Sequence, residues 1–277
     1  MNEPKRILYV SSEIFPYLPE SEISVIGRYL PQGSQELGKE IRTFMPRYGC
    51  INERRNQLHE VIRLSGMNIV INDVDRPLVI KVASISSARM QVYFIDNEDY
   101  FHRKFIYNGA DGVFFNDNDE RAIFFARGIL ETVKKLRWKP DIIHCQGWIS
   151  HLLPLYLKKA YANDPIFSDS KIILSLYNDK AEEYSFNPDI RTKINVPGIK
   201  AKDTELLKQP NGTNLAKLAI QYSDALVLGA DDVDSELIKY GESLKLPILK
   251  NVKIDHPEGT YIKTYNDFYD KLLNNEL

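Results

Sequence analysis

Short apolar runs bounded by turn residues alternate along the chain with stretches whose apolar positions recur every three or four residues. That alternation predicts a mainly parallel sheet with crossover helices, an α/β fold of the Rossmann-like, doubly wound kind. RILYVSS (6–12) reads as a buried strand, and SVIGRYLPQGSQELG (24–38) as a helix closing near Gly38. EIRTFMP (40–46) is the next strand, stopped by Pro46. Within residues 58–95, VIRLSGMNIVI, PLVIKVASI and MQVYFID read as strands with no room for helices between them, a hairpin-like insertion.

NDNDERAIFFARGILETVKKLRW (116–138) is an amphipathic helix, with Ile123, Phe124, Ala126, Ile129, Leu130 and Val133 on one stripe. Its acidic start and basic end suit the helix dipole. PDIIHC (140–145) is a strand, ISHLLPLYLKKAYA (149–162) a helix and KIILSLY (171–177) a strand. A loop-rich stretch covers 180–212. A helix, the strand ALVL (225–228) and another helix follow, and TYIKTYNDFYDKLLNNEL (260–277) is a terminal helix packing back on the body. With no repeat, low-complexity segment or linker, residues 1–277 read as a single domain.

Composition narrows the function classes. The 277 residues carry a net charge of -2, which argues against nucleic acid or an anionic membrane as partner. No apolar run reaches membrane-spanning length and MNEPKRILYV has no leader-like apolar core, so the expected location is cytoplasmic. Cys50 and Cys145 are too few for a disulfide framework; Cys145 reads as a buried thiol, and no Cys/His spacing suggests a metal.

The turn after the first strand carries the sharpest question. It reads Pro19, Glu20, Ser21, Glu22, with no glycine before Gly27. A structural reading makes Ser21 a helix N-cap beside dipole-favoured acids. A functional reading has Glu20 and Glu22 accepting hydrogen bonds from sugar hydroxyls. Neither suits a pyrophosphate, and both the dinucleotide fingerprint and the P-loop are absent, so no cofactor is expected. Arg47 and Tyr48, in MPRYGCINERR (45–55), line a ligand crevice or sit in a solvated loop. FFNDNDERAIFF (114–125) lacks calcium-loop spacing and reads as a cap. His144, Gln146, Trp148 and His151 cluster at one strand end and beyond it, with Tyr177 and Asn178 at the end of the next. Alone, each histidine is more often a hydrogen-bonded structural residue than a catalytic one, and no Ser-His-Asp or Cys-His arrangement stands out.

Taken in order, EIFP, RYG, FFNDNDERAIFFARGILE, W-x-PDIIHCQGW-x3-LLPLYLK and NLAKLAIQYSDALVL resemble the N-terminal half of bacterial glycogen and starch synthases. The resemblance covers residues 5–275. It implies one of the two Rossmann-like halves of a glycosyltransferase that moves glucose from ADP-glucose to an α-1,4-glucan with retention. In that family the first turn reads K-T-G-G-L-A-D-V, its lysine and glycines approaching the donor phosphates. Here those places hold Pro19, Glu20, Ser21, Glu22, Ile23, Ser24, Val25 and Ile26. The family's H-x-H-D-W-H-T becomes His144 to Ser150, with Ile149 where a histidine faces the reacting sugar. Its T-I-H-N becomes Ser175, Leu176, Tyr177, Asn178.

The second half, with most of the nucleotide pocket, has no counterpart in this sequence. The resemblance therefore implies an α-glucan- or sugar-binding domain to which no catalytic residue is assigned. Its expected sugar-facing side is Arg47, Tyr48, Gln146, Trp148, Tyr177 and Asn178. Two alternatives stand beside it: a split transferase completed by a separate polypeptide carrying the other half, and a non-enzymatic regulatory module.

Overall fold

A computed structural model describes residues 3–180, 183–250, 252–255 and 259–277. Ten strands form the sheet: β1 (Arg6–Ser11), β2 (Glu40–Pro46), β3 (His59–Glu60), β4 (Met67–Ile71), β5 (Val74–Ile85), β6 (Met90–Asp96), β7 (Ile142–Gln146), β8 (Lys171–Leu176), β9 (Ala225–Leu228) and β10 (Ile248–Leu249). Their order is β10-β9-β8-β7-β1-β2-β6-β5-β3, with β4 paired to β5 outside that path. From β10 across to β6 every pairing is parallel; β5 returns antiparallel on β6, and β3 and β4 antiparallel on β5. The doubly wound expectation is borne out, with one refinement. MQVYFID is not part of an insertion: β6 is the parallel neighbour of β2, and only β3 to β5 hang from it as an antiparallel annex. VIRLSG forms turns, so the strand predicted there begins at Met67.

The helices are α1 (Glu22–Glu36), α2 (Glu98–Phe101), α3 (Asn118–Leu136), α4 (Leu153–Lys159), α5 (Ile190–Ile194), α6 (Gly212–Gln221), α7 (Ser235–Ser243) and α8 (Thr260–Leu273). Strand alternation divides them into two layers. Ile7 and Tyr9 of β1, Ile142 of β7 and Val227 of β9 face Ile26 and Leu30 of α1 and Tyr261, Tyr265 and Tyr269 of α8. Leu8 and Val10 face the other way, into a core shared with Phe124, Ile129, Leu155 and Leu218. The terminal helix therefore does pack back, over the first layer, where Gly33 of α1 leaves room for Ile262.

Helix ends explain much of the local chemistry. Ser21 caps α1 in a reciprocal box: Ser24 N–H donates to Ser21 Oγ at 3.0 Å, and Ser21 N–H donates to Ser24 Oγ at 2.8 Å. The acids at the start of α3 do not behave as the expected caps. Asp117 makes no side-chain cap and binds the Arg103 guanidinium instead. Asp119 is fully buried 3.0 Å from the Lys193 ammonium, so the segment is an internal ion-pair anchor between α3 and α5. Cys145 is buried, as expected, and Cys50 is exposed. No described helix is long and apolar enough to cross a membrane.

Candidate functional site

The strand order reverses about β1: β2 lies on one side of it and β7 on the other. Ligands of open α/β sheets bind outside the carboxyl ends of the strands at such a reversal. A pocket of about 340 Å³ opens there, lined by Ser12 and Glu13 after β1, Ser21, Glu22 and Ile23 at the start of α1, Trp148 after β7, and Tyr177 to Lys180 after β8. Tyr107 and Tyr184 close it from two loops.

Backbone geometry makes the crevice possible. Gly147 joins β7 to a short 3₁₀ turn at φ 82°, ψ 151°, a conformation open essentially to glycine alone. A Cβ there would sit 2.1 Å from Ser12 Oγ, so the β1 and β7 exits approach as closely as they do because that carbon is missing. Gly229 plays the same part after β9: a Cβ would lie 2.4 Å from the Tyr177 ring.

The pocket is acidic. Ser21 Oγ donates to Glu13 Oε2 at 2.6 Å, and Asn178 Nδ2 donates to Asp232 Oδ2 at 2.7 Å. Burial, reinforced by the Glu13 charge, pushes the half-buried Asp179 carboxyl up to about 7. Burial, then the charges of Asp232 and Asp231, also raises Glu22. Among the described residues no lysine or arginine pairs with Glu13, Glu22 or Asp179. Lys180, on the rim, lies 3.9 Å from Glu183 instead.

Its walls are aromatic. Trp148 contacts Tyr107 (ring centroids 4.8 Å apart), Phe114 (5.6 Å) and Tyr184 (5.6 Å), and Phe114 stacks on Tyr184 at 4.7 Å. Trp148 is only 4% exposed, so Tyr107 and Tyr184, not its own face, offer the accessible rings. The Trp148 indole N–H is buried without a hydrogen-bond partner, and the Tyr177 hydroxyl is buried beside Ser175.

Of the residues singled out from sequence, Trp148, Tyr177, Asn178, Ser21 and Glu22 meet at this pocket. The others do not. His144 shares the strand face of Ile142, under α8, where its ring is held between Tyr269 Oη (2.8 Å) and Ser175 Oγ (2.7 Å); burial lowers its pKa to about 3. It is a core histidine. Gln146 and His151 are buried off the pocket without side-chain partners, and burial lowers His151 to about 3 as well.

Tyr48 is fully buried, its hydroxyl 2.8 Å from that of Tyr107, and so backs the pocket wall without facing the ligand space. Arg47 is taken up by Glu53, which also receives the Lys81 ammonium at 2.6 Å. Pro19 lines a neighbouring apolar groove of about 590 Å³ with Tyr17, Leu18, Phe105 and Ile106, and Glu20 is exposed outside both. Glu13, Asp179, Tyr107 and Tyr184 were missed. Glu13 sits in EIFP directly beyond the first strand, and Asp179 follows Asn178, so position at a strand's end could have flagged both. The two tyrosines lie on irregular loops and carry no periodic signal.

The family model described as the starch synthase catalytic domain matches residues 6–245. The chain belongs to that family. Glycogen synthase of Chlorobium limicola is 42% identical over 177 residues, 62% of this chain and 36% of the relative. Glycogen synthase of Chlorobaculum parvum is 32% identical over 239 residues, 86% of this chain and 48% of the relative. The chain thus spans between about a third and a half of these relatives' length. Among solved structures, the catalytic domain of Starch Synthase IV from Arabidopsis thaliana, bound to ADP and acarbose, superposes with a TM-score of 0.70. It is 17% identical, and the match covers 90% of this chain and 52% of that one. That likeness bears out the family's half-domain fold. Helix α8 lies beyond the residues that the family model matches.

Proposed function

We propose that this member of the starch synthase family binds a sugar in the crevice beyond β1, β7 and β8 and does not take up a sugar nucleotide there. One observation carries the reading: Glu13, Glu22 and Asp179 line a single pocket, with no base paired to them among the described residues. Each approach of a phosphate to a carboxylate at about 4 Å opposes binding by roughly 1–4 kcal/mol, depending on screening. Hydroxyls, by contrast, donate to carboxylates, and the half-buried Tyr107 and Tyr184 rings suit the apolar face of a pyranose. The turn that approaches donor phosphates in the family has here become an N-cap with acids around it.

Tryptophan fluorescence titration with maltotriose, glucose and glucosamine into the millimolar range tests the proposal. At least one sugar should give a saturable signal that Tyr107→Ala weakens tenfold or more. No saturation with any of the three overturns it. A second reading, a transferase completed by a separate polypeptide, draws on the adjoining apolar groove and on Phe105, which is 43% exposed beside it. It predicts turnover of ADP-glucose only when such a partner is added. Turnover by this chain alone contradicts both readings.

A further inference from the structure

We infer that a second pocket, between α5 and the 3₁₀ helix Ala201–Lys208, binds a small phosphomonoester such as a phosphorylated sugar or polyol. Arg191 and Lys200 would hold the phosphate, and Thr192 and Asn195 the hydroxyls. The pocket has a volume of about 290 Å³ and shares no lining residue with the crevice, so this site stands apart from the sugar reading. Its charge is also of the opposite sign: it is lined by an arginine and a lysine, and among the described lining residues none is acidic.

Arg191 is fixed in the wall. From α5 its Nε donates to Thr204 Oγ1 at 3.2 Å and its Nη2 to the Ala201 carbonyl at 2.8 Å, and both acceptors belong to residues lining the same pocket. The guanidinium therefore lies at the pocket with its plane already set, and Nη1 has no partner among the described residues. A planar fork held in place suits the oxygens of a phosphate. The neighbouring acids are committed elsewhere. Asp203 pairs with Lys159 at 3.1 Å and accepts the Lys200 N–H at 2.8 Å, while Glu205, 3.8 Å from Arg191 Nη2, also receives the Lys208 ammonium. Among the described residues none pairs with the Lys200 side chain, whose flexible stem lets the ammonium swing onto a bound oxyanion.

Two bases with no lining acid call for a ligand of more than one negative charge, and a phosphomonoester carries about -1.5 to -2 at neutral pH. Inorganic phosphate would leave Thr192 and Asn195 unused, although both can bond to hydroxyls. The volume is at the small end of the roughly 300–1,000 Å³ usual for ligand pockets, which suits a phosphorylated sugar and not a nucleotide sugar.

Calorimetric titration of the whole chain in a phosphate-free buffer at pH 7.5, with ribose 5-phosphate, inorganic phosphate and succinate, tests the inference. Ribose 5-phosphate should bind at least tenfold more tightly than the other two, and excess ribose should not displace it. Lys200→Gln should weaken it at least tenfold with no change in the urea midpoint, since the side chain is exposed. Arg191→Lys, which keeps the charge and loses the fork, should weaken it severalfold. No saturable heat from ribose 5-phosphate overturns the inference, as does equal binding of inorganic phosphate or succinate. Displacement by ribose, or affinity unchanged in Lys200→Gln, would move the ligand out of this pocket and overturn it too.

Discussion

His151 offers a sharp test of how the crevice floor is built. Its ring is 3% exposed and neither nitrogen has a partner, so protonation in place would put an uncompensated charge in the interior. Burial accordingly lowers its pKa from 6.5 to about 3. Between those values the unfolded chain binds a proton that the folded chain refuses. The histidine's share of stability is therefore fully present above pH 6.5 and is lost as pH falls toward 3. At pH 4.5 the unfolded state is favoured by about 3 kcal/mol from this group alone, because each tenfold step in protonation is worth about 1.4 kcal/mol.

His151→Leu removes the group without leaving a polar partner stranded, so at pH 7.5 stability should change by about 1 kcal/mol or less. Urea unfolding of both proteins from pH 7.5 to 4.5 should show the variant gaining about 3 kcal/mol on the parent as pH falls. The carboxylates titrate in both proteins and cancel in the difference. Parallel pH profiles would refute the buried, neutral placement. A variant that also loses sugar affinity would return His151 to the binding machinery.

Other perturbations reach other parts of the account. Gly147→Ala should destabilise by ~2 kcal/mol or more in thermal or urea unfolding, from left-handed strain and the close approach to Ser12 Oγ. Tyr269→Phe leaves His144 Nδ1 without its partner under α8 and should lose about 1–3 kcal/mol; an unchanged midpoint would mean the helix is not seated there. Lys193→Met strands the buried Asp119 charge and should destabilise by about 3–5 kcal/mol at neutral pH, with part of the loss recovered in acid. Asp179 has the opposite sign to His151: its pKa is raised, so its contribution is complete below about pH 4 and is lost as pH rises through about 7. Asp179→Asn should therefore be the more stable protein at pH 8, by roughly 1–2 kcal/mol after allowance for its access to water.

The fold was readable because burial imposes periods on the chain. Short apolar runs in RILYVSS, EIRTFMP and DIIHC placed the central strands, and the stripe from Ile123 to Val133 placed α3. Ile248–Leu249 escaped notice because two residues carry no period. The site was legible only in part, and His144 shows why. Its position beside Gln146 and Trp148 suggested one cluster, yet it lies inside β7, two residues short of the strand's end, where alternation decides which layer it faces. The same alternation that puts Ile142 under α8 puts His144 there too. Nor does sequence reveal that Tyr107 and Tyr184, 77 positions apart, meet over Trp148. Tyr48 was expected on the sugar-facing side, but it is fully buried and its hydroxyl is taken by Tyr107, a pairing across loops that no local pattern encodes.

Calorimetric titration with ADP-glucose, set beside the best sugar of the panel, tests the central claim most directly. The carboxylates of Glu13, Glu22 and Asp179, with no paired base among the described residues, predict saturable heat from the sugar and none from ADP-glucose into the millimolar range. Micromolar binding of ADP-glucose, displaced by ADP, would contradict the account and mean that a diphosphate finds its place in this turn after all.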